Sequence, residues 1–220
     1  MTDNRLLIVL PFAVSLAACA GEVRRDAPIG SPRTVEVSVP AAARLEISLP
    51  PGEAVIEGGS GDALKARMDV RCHEATGSCA DRAARMHWVI DSSDSAVKLT
   101  ATPESMLAYR DTDTTTHVWV PDDRVLLVNM SAGDLEITRV SGCLEVHVEA
   151  GDVSIEVPTA SVHTAWLDAN VGDASLALNG DTIEGHRRLL VGAEVDWQEG
   201  SGACALSVDL GAGDIQATLY

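Results

Sequence analysis

Aromatic side chains are scarce in this chain of 220 residues: four Trp, two Tyr and one Phe, 3% of the total. That scarcity disfavours base-stacking platforms and ring-lined sugar clefts. Positive charge is also scarce, with 16 Lys and Arg against 33 Asp and Glu and a formal net charge of −17. Nucleic acid is excluded as a partner, because its phosphates need cationic side chains to displace condensed counterions. No apolar run reaches the roughly 20 residues of a membrane-spanning helix. What is present is a 46% hydrophobic fraction, too high for a disordered acidic tail. The length suits one or two small domains with a real core. The expectation is an acidic, soluble fold built from Val, Leu, Ile and Ala.

The N-terminus suggests a destination. Residues 6–14 form a short apolar run, followed by Ser15-Leu16-Ala17-Ala18. A short apolar core ending in small residues reads as a secretory signal peptide, here residues 1–18. Leu16-Ala17-Ala18-Cys19 resembles the lipobox of bacterial lipoproteins. That resemblance implies cleavage before Cys19 and acylation of Cys19, with two or more acyl chains giving a stable anchor. Ala20, standing where Asp would mark inner-membrane retention, implies the outer membrane, on its periplasmic or surface face. Residues 19–33 then read as the lipidated cysteine and a tether containing Pro and Gly. The alternative is an ordinary signal peptide with an incidental cysteine.

Export favours disulfides. Cys72 and Cys79 flank a short polar segment, and a local disulfide between them is expected. A metal site drawing on His73 and His87 is the alternative, although the spacing matches no common zinc pattern. Cys143 and Cys204 either pair with each other or remain separate thiols.

The strongest signal is a recurring Gly-Asp before an apolar-polar-apolar triplet. It occurs at Gly133-Asp134, Gly151-Asp152, Gly172-Asp173 and Gly213-Asp214, with Ala193-Glu194 standing in a fifth place. The steps between successive starts are 18, 21, 21 and 20 residues. Alternation sends one set of side chains inward and the other to solvent, while Gly permits an unusual turn and Asp can cap nearby amides. One such unit cannot bury its own apolar face, so stacking is required. The predicted fold is all-β, a β-solenoid of stacked 18–21-residue Gly-Asp repeats over 129–220. Residues 34–128 are read as an irregular version of the same plan within one domain, 34–220. Strands are expected at 34–39, 44–49, 54–56, 63–70, 88–90, 97–99, 117–120 and 125–128, with a short helix near 80–86. An ordinary sandwich is the competing architecture.

The run His117-Val118-Trp119-Val120-Pro121, then Leu127-Val128-Asn129-Met130-Ser131-Ala132-Gly133-Asp134-Leu135-Glu136-Ile137, resembles the bacterial domain family DUF4097, an adhesin-type family. Val140-Ser141-Gly142 and Ala150-Gly151-Asp152-Val153 fit the same pattern. The resemblance implies an envelope-associated protein without an established enzymatic activity, and it transfers no functional residue. The chain departs from the pattern at Ala193-Glu194.

Catalytic signatures are missing. There is no Gly-x-Ser-x-Gly elbow, no His-Glu-x-x-His, no phosphate loop ending in Lys and no Cys-x-x-Cys. Asp122-Asp123 reads as a solvated turn, and His147 and His163 as solvent-facing. In-register stacking would align Asp134, Asp152, Asp173, Glu194 and Asp214 in an acidic ladder. Charges about 5 Å apart repel by roughly 0.8 kcal/mol even in water, so amide donors or bound Ca²⁺ should offset them. Asp134, Asp152, Asp173 and Asp214 are therefore candidate Ca²⁺ ligands, although one acid per repeat is few for calcium. No catalytic residue and no cofactor is implied.

The leading reading is a non-enzymatic envelope lipoprotein presenting a β-solenoid surface for structural or adhesive contacts. Its partners would be the membrane, through the lipid anchor, and an envelope protein or polysaccharide. The alternative is an enzyme or binding protein acting on envelope polysaccharide, favoured if several carboxylates share a groove with Trp166 or Trp197. Periodicity places Trp197 inward. The final strand, 215–220, either offers an open edge for β-augmentation or has that edge covered or twisted away, and the covered edge is the expectation. Residues 129–220 hold 15 acidic residues and three Arg, so the acidity concentrates in the repeats.

Overall fold

The computed structural model describes residues 30–73, 77–103, 109–188 and 191–220. The signal peptide, Cys19 and most of the tether lie outside the described residues. The fold is all-β, and its strands fall into two nine-stranded mixed sheets among the described residues.

The first sheet, A, contains β1 (Arg33–Ser38), β3 (Gly52–Gly59), β4 (Ala63–Cys72), β7 (Thr112–Pro121), β9 (Gly133–Thr138), β11 (Val153–Val157), β13 (Ala174–Leu178), β14 (Asp181–Glu184) and β18 (Ile215–Leu219). Sheet B contains β2 (Arg44–Leu49), β5 (His87–Ser92), β6 (Ala96–Thr102), β8 (Leu126–Met130), β10 (Leu144–Ala150), β12 (Val162–Ala169), β15 (His186–Arg188), β16 (Gly192–Trp197) and β17 (Cys204–Ala212). The order in A is β1-β4-β7-β3-β9-β11-β18-β13-β14, and in B it is β15-β16-β12-β17-β10-β8-β2-β6-β5.

A single building plan explains both orders. A strand of sheet B runs into a tight turn and continues as a strand of sheet A: β2 to β3, β8 to β9, β10 to β11, β12 to β13 and β17 to β18. These pairs stack in parallel, coil on coil. Antiparallel strands close both ends, with β4, β1 and β5 at one and β14, β16 and β15 at the other.

Stacking does not follow the chain. The last coil, β17–β18, inserts between β10–β11 and β12–β13. Strand β18 is consequently interior, hydrogen-bonded on both sides, so its edges are covered, as the less venturesome of the two readings has it. Main-chain groups left unpaired are costly, and insertion satisfies both of its sides.

Strict alternation fills the space between the sheets. Leu45, Leu126, Leu144 and Leu206 meet in one inward row of sheet B, and Ile47, Val128, Val146 and Val208 in the next. Ile56, Ile137, Ile155, Ala217 and Leu176 form a facing row of sheet A. One buried cluster extends from Val39 to Leu219. Each buried Val, Leu or Ile contributes about 1.5–3 kcal/mol. Trp197, only 7% exposed, packs inward as its periodicity predicts.

The helix expected near 80–86 spans Gly77–Arg85, α1. Ala83 on it joins Met68, Val70, Met86 and Tyr109 in a second small core beside the long strand β4. Burial pushes the Tyr109 phenol up to about 12. A disulfide joins Cys72 to Cys79, with Cα atoms 6.1 Å apart, and ties α1 to the end of β4. A second disulfide joins Cys143 to Cys204, with Cα atoms 4.5 Å apart, and ties the start of β17 to the residue preceding β10.

Candidate functional site

On the outer side of sheet A, Glu53, Asp134, Asp152, Asp214 and Asp173 follow one another across the stack. Each follows a glycine with positive φ, from Gly52 at 135° to Gly151 at 131° and Gly213 at 133°. Close approach reinforces the requirement: a Cβ on Gly151 would lie 1.9 Å from the Gly133 carbonyl oxygen. The turns can stack this tightly only without side chains.

The carboxylates knit the stack together. Asp134 Oδ1 accepts the Asp152 amide at 3.4 Å, Asp152 Oδ1 accepts the Asp214 amide at 3.0 Å, and Asp214 Oδ1 accepts the Asp173 amide at 2.9 Å. Amide donors on the neighbouring coil therefore offset the repulsion within the ladder. Arg187 pairs with Asp173 at its end, at 2.6 Å. Among the described residues no group of three or more His, Cys, Asp and Glu is arranged to hold a metal ion.

Glu194 does not belong to this ladder. It lies on the antiparallel strand β16, opposite Asp168 and His186. Its 21-residue offset from Gly172-Asp173 is taken up by β13, β14 and β15, and not by another parallel repeat. The actual fifth member is Glu53, because Gly52-Glu53 pairs with Gly133-Asp134. A Glu in place of Asp, after Pro51-Gly52, concealed it from the Gly-Asp pattern.

The outer face of sheet B is different. A trough of about 520 Å³ crosses β6, β2, β8, β10 and β17. Its axis is a single row in register: Thr100, Ser48, Asn129, His147 and Asp209. Four strand spacings make that row about 19 Å long. Thr100, Ser48, Asn129 and Asp209 are half-buried, and their side chains have no hydrogen-bond partner within the described chain. His147 is exposed and its Nε2 lies 3.0 Å from Glu145 Oε1. Ser131 and Glu149 line the turn side, and Gly211 leaves room beside Asp209.

Beyond Asp209 the row continues to Asp168, which is 7% exposed and accepts a 2.5 Å hydrogen bond from Arg188 Nη1. Asp168 Oδ1 is buried with no partner. Trp166, 36% exposed, stands one row away on the same strand, its Nε1 donating to Glu194 Oε1 at 3.2 Å. Carboxylates and an exposed indole thus share one face, but Trp166 does not line the trough and Trp197 is in the core, so the shared groove that the polysaccharide alternative required is not formed. At the other flank Glu46 sits between Lys98 at 2.7 Å and Arg44 at 2.6 Å. The Lys98 hydrogen bond, together with Arg44, holds its carboxyl below the usual range against the opposing effect of burial.

The histidines do not converge. His73 faces Asp113 at 3.2 Å, and His87 Nδ1 lies 2.8 Å from the Arg85 carbonyl oxygen. With Cys72 and Cys79 joined as a disulfide, the thiolates that a metal site there would need are consumed. His163 is solvent-facing, as expected. His117 stacks on Trp119 with ring centroids 3.9 Å apart and approaches Glu57 Oε2 at 3.1 Å. Burial and the Arg67 charge lower its affinity for a proton, against the pull of Glu136.

Comparison with solved structures gives several weak likenesses. A putative cell adhesion protein from Clostridium sporogenes is 13% identical, with a TM-score of 0.48, over 86% of this chain and 100% of that one. A putative adhesin from Bacteroides fragilis is 10% identical, with a TM-score of 0.23, over 86% and 97%. A putative lipid binding protein from Parabacteroides distasonis is 10% identical, with a TM-score of 0.24, over 61% and 66%. No family model matches the sequence, and no curated protein does. At such identities and scores these likenesses assign no role to the chain, so function must be reasoned from its own surfaces.

Proposed function

We propose that this chain is a lipid-anchored protein of the bacterial cell envelope, at the outer membrane, with a non-enzymatic role in structural or adhesive contacts. In this reading Cys19 is the acylated residue, and residues 20–33 hold a DUF4097-type, β-solenoid-like stack away from the membrane. The observation that carries the contact role is the outer face of sheet B, which no described element covers. Parallel strands are ordinarily buried on both faces, yet here the central parallel coils expose a polar trough. Two long-range features give that surface a fixed shape: the glycine-stacked turns and the Cys143–Cys204 disulfide. Extended surfaces of stacked strands suit contact with polymers or with other envelope proteins.

Palmitate labelling and membrane fractionation of the full chain test the anchor, with Cys19→Ser as the comparison. Label on the original protein and none on Cys19→Ser is the expected result; an unlabelled original removes the anchor. Binding of the purified full chain to isolated cell envelopes tests the contact role. Saturable binding is expected. Release of reducing sugar from those envelopes by the protein would overturn the non-enzymatic reading.

A further inference from the structure

We infer that the trough on sheet B is a binding site for a neutral glycan chain, lying across the strands with its sugar hydroxyls on the Thr100–Ser48–Asn129–His147–Asp209 row. The inference rests on the contact role proposed above and gives it a ligand class.

The first ground is the state of the polar groups. Thr100, Ser48, Asn129 and Asp209 carry hydroxyl, amide and carboxylate groups that have no partner among the described residues, yet they are half-buried inside a 520 Å³ concavity. Those groups accept or donate at two sites each, matching neighbouring hydroxyls on a pyranose ring, which also donate and accept. An apolar ligand would strand them without partners, at a cost for each.

Spacing is the second ground. Parallel strands place successive row members about 4.8 Å apart, a step similar to the advance of one sugar in an extended polysaccharide. A chain crossing the five strands would therefore meet a polar group at each sugar. Trp166 lies beyond the Asp209 end with its indole oriented by Glu194, where it can cover the apolar face of one further ring.

Charge selects within the class. Asp209 and Glu149 line the trough, and Glu145 flanks it at His147. Uronic or phosphorylated polymers would be repelled there, so neutral glycans are favoured over anionic ones.

Calorimetric titration of the full chain in detergent micelles tests this, using cellohexaose, the β-1,4-linked N-acetylglucosamine hexamer and polygalacturonate. Saturable binding of at least one neutral hexamer and none of polygalacturonate is expected. The double substitution Asn129→Ala/Asp209→Ala should weaken binding about tenfold or more. Glu136→Ala/Ser154→Ala on the outer face of sheet A should leave it unchanged, and thermal melts of both variants establish that they fold. Failure of both neutral hexamers to bind overturns the inference, as does equal affinity in the folded trough variant. Loss of the glycan result while isolated envelopes still bind would remove this ligand class alone; failure to bind envelopes would remove the contact role itself.

Discussion

The outer faces of the two sheets are both polar, but they use their polar side chains in opposite ways. On sheet A, the carboxylates of Asp134, Asp152 and Asp214 accept amides from the adjacent coil. On sheet B, the side chains of Thr100, Ser48, Asn129 and Asp209 bond to nothing among the described residues. The difference is one of position along the strand. Beside a glycine turn the amides have left the β-ladder and need acceptors. Within a strand the ladder has consumed them, so an outward side chain has no main-chain donor nearby. The same residue type, Asp, therefore joins coils at position 152 and remains available for a ligand at position 209.

That contrast can be tested at several levels. The largest effect should come from the bond that joins two strands of sheet B, β10 and β17, at their starts. The Cys143–Cys204 disulfide spans 61 residues, and a chain-entropy estimate for such a loop is about 4 kcal/mol. Cys143→Ser/Cys204→Ser should lose that much in urea unfolding, and more than Cys72→Ser/Cys79→Ser, whose bond spans seven. Gly151→Ala attacks the ladder side instead. Its Cβ would meet the Gly133 carbonyl at 1.9 Å from a backbone at φ 131°, so a loss of about 3 kcal/mol is expected by the same measurement.

Two aspartates provide the sharpest comparison. Asp152→Ala should cost about 1 kcal/mol, because the Asp214 amide loses its acceptor. Asp209→Ala should change stability by no more than about 0.5 kcal/mol. Equal losses at the two sites would erase the distinction between the faces.

The smallest effect concerns pH. Glu46, next to the trough, has its carboxyl pKa lowered from 4.5 by Lys98, with burial opposing and Arg44 assisting. Its contribution is present above the unfolded value and is lost as pH falls through the folded one. Glu46→Gln should therefore lower the melting temperature slightly near neutrality and make progressively less difference as pH falls below about 4.5, flattening the acid limb.

Much of the fold was legible from local chemistry. Gly-Asp before alternating residues marked β9, β11, β13 and β18, and Trp197 pointed inward as its neighbours required. The local Cys72–Cys79 bond followed from compartment and spacing. Glu194 misled because the antiparallel strands β14 and β15, between β13 and β16, happen to take up the length of one repeat. Glu53 escaped notice because its turn reads Pro51-Gly52-Glu53. The trough was invisible for another reason: Thr100, Ser48, Asn129, His147 and Asp209 are each unremarkable on their own strands.

The sequence by itself determined which side chains face inward and where the turns fall, because period-two alternation and glycine's backbone freedom act over a few residues. Only the tertiary structure decided that β17–β18 enters between β10–β11 and β12–β13. That insertion gave β18 two partners, brought Cys204 to Cys143 and set Asp209 beside His147. Strand pairing joins residues far apart in the chain, and an alternating strand can satisfy its hydrogen bonds against many neighbours. Which neighbour it takes is settled by the packing of the whole stack.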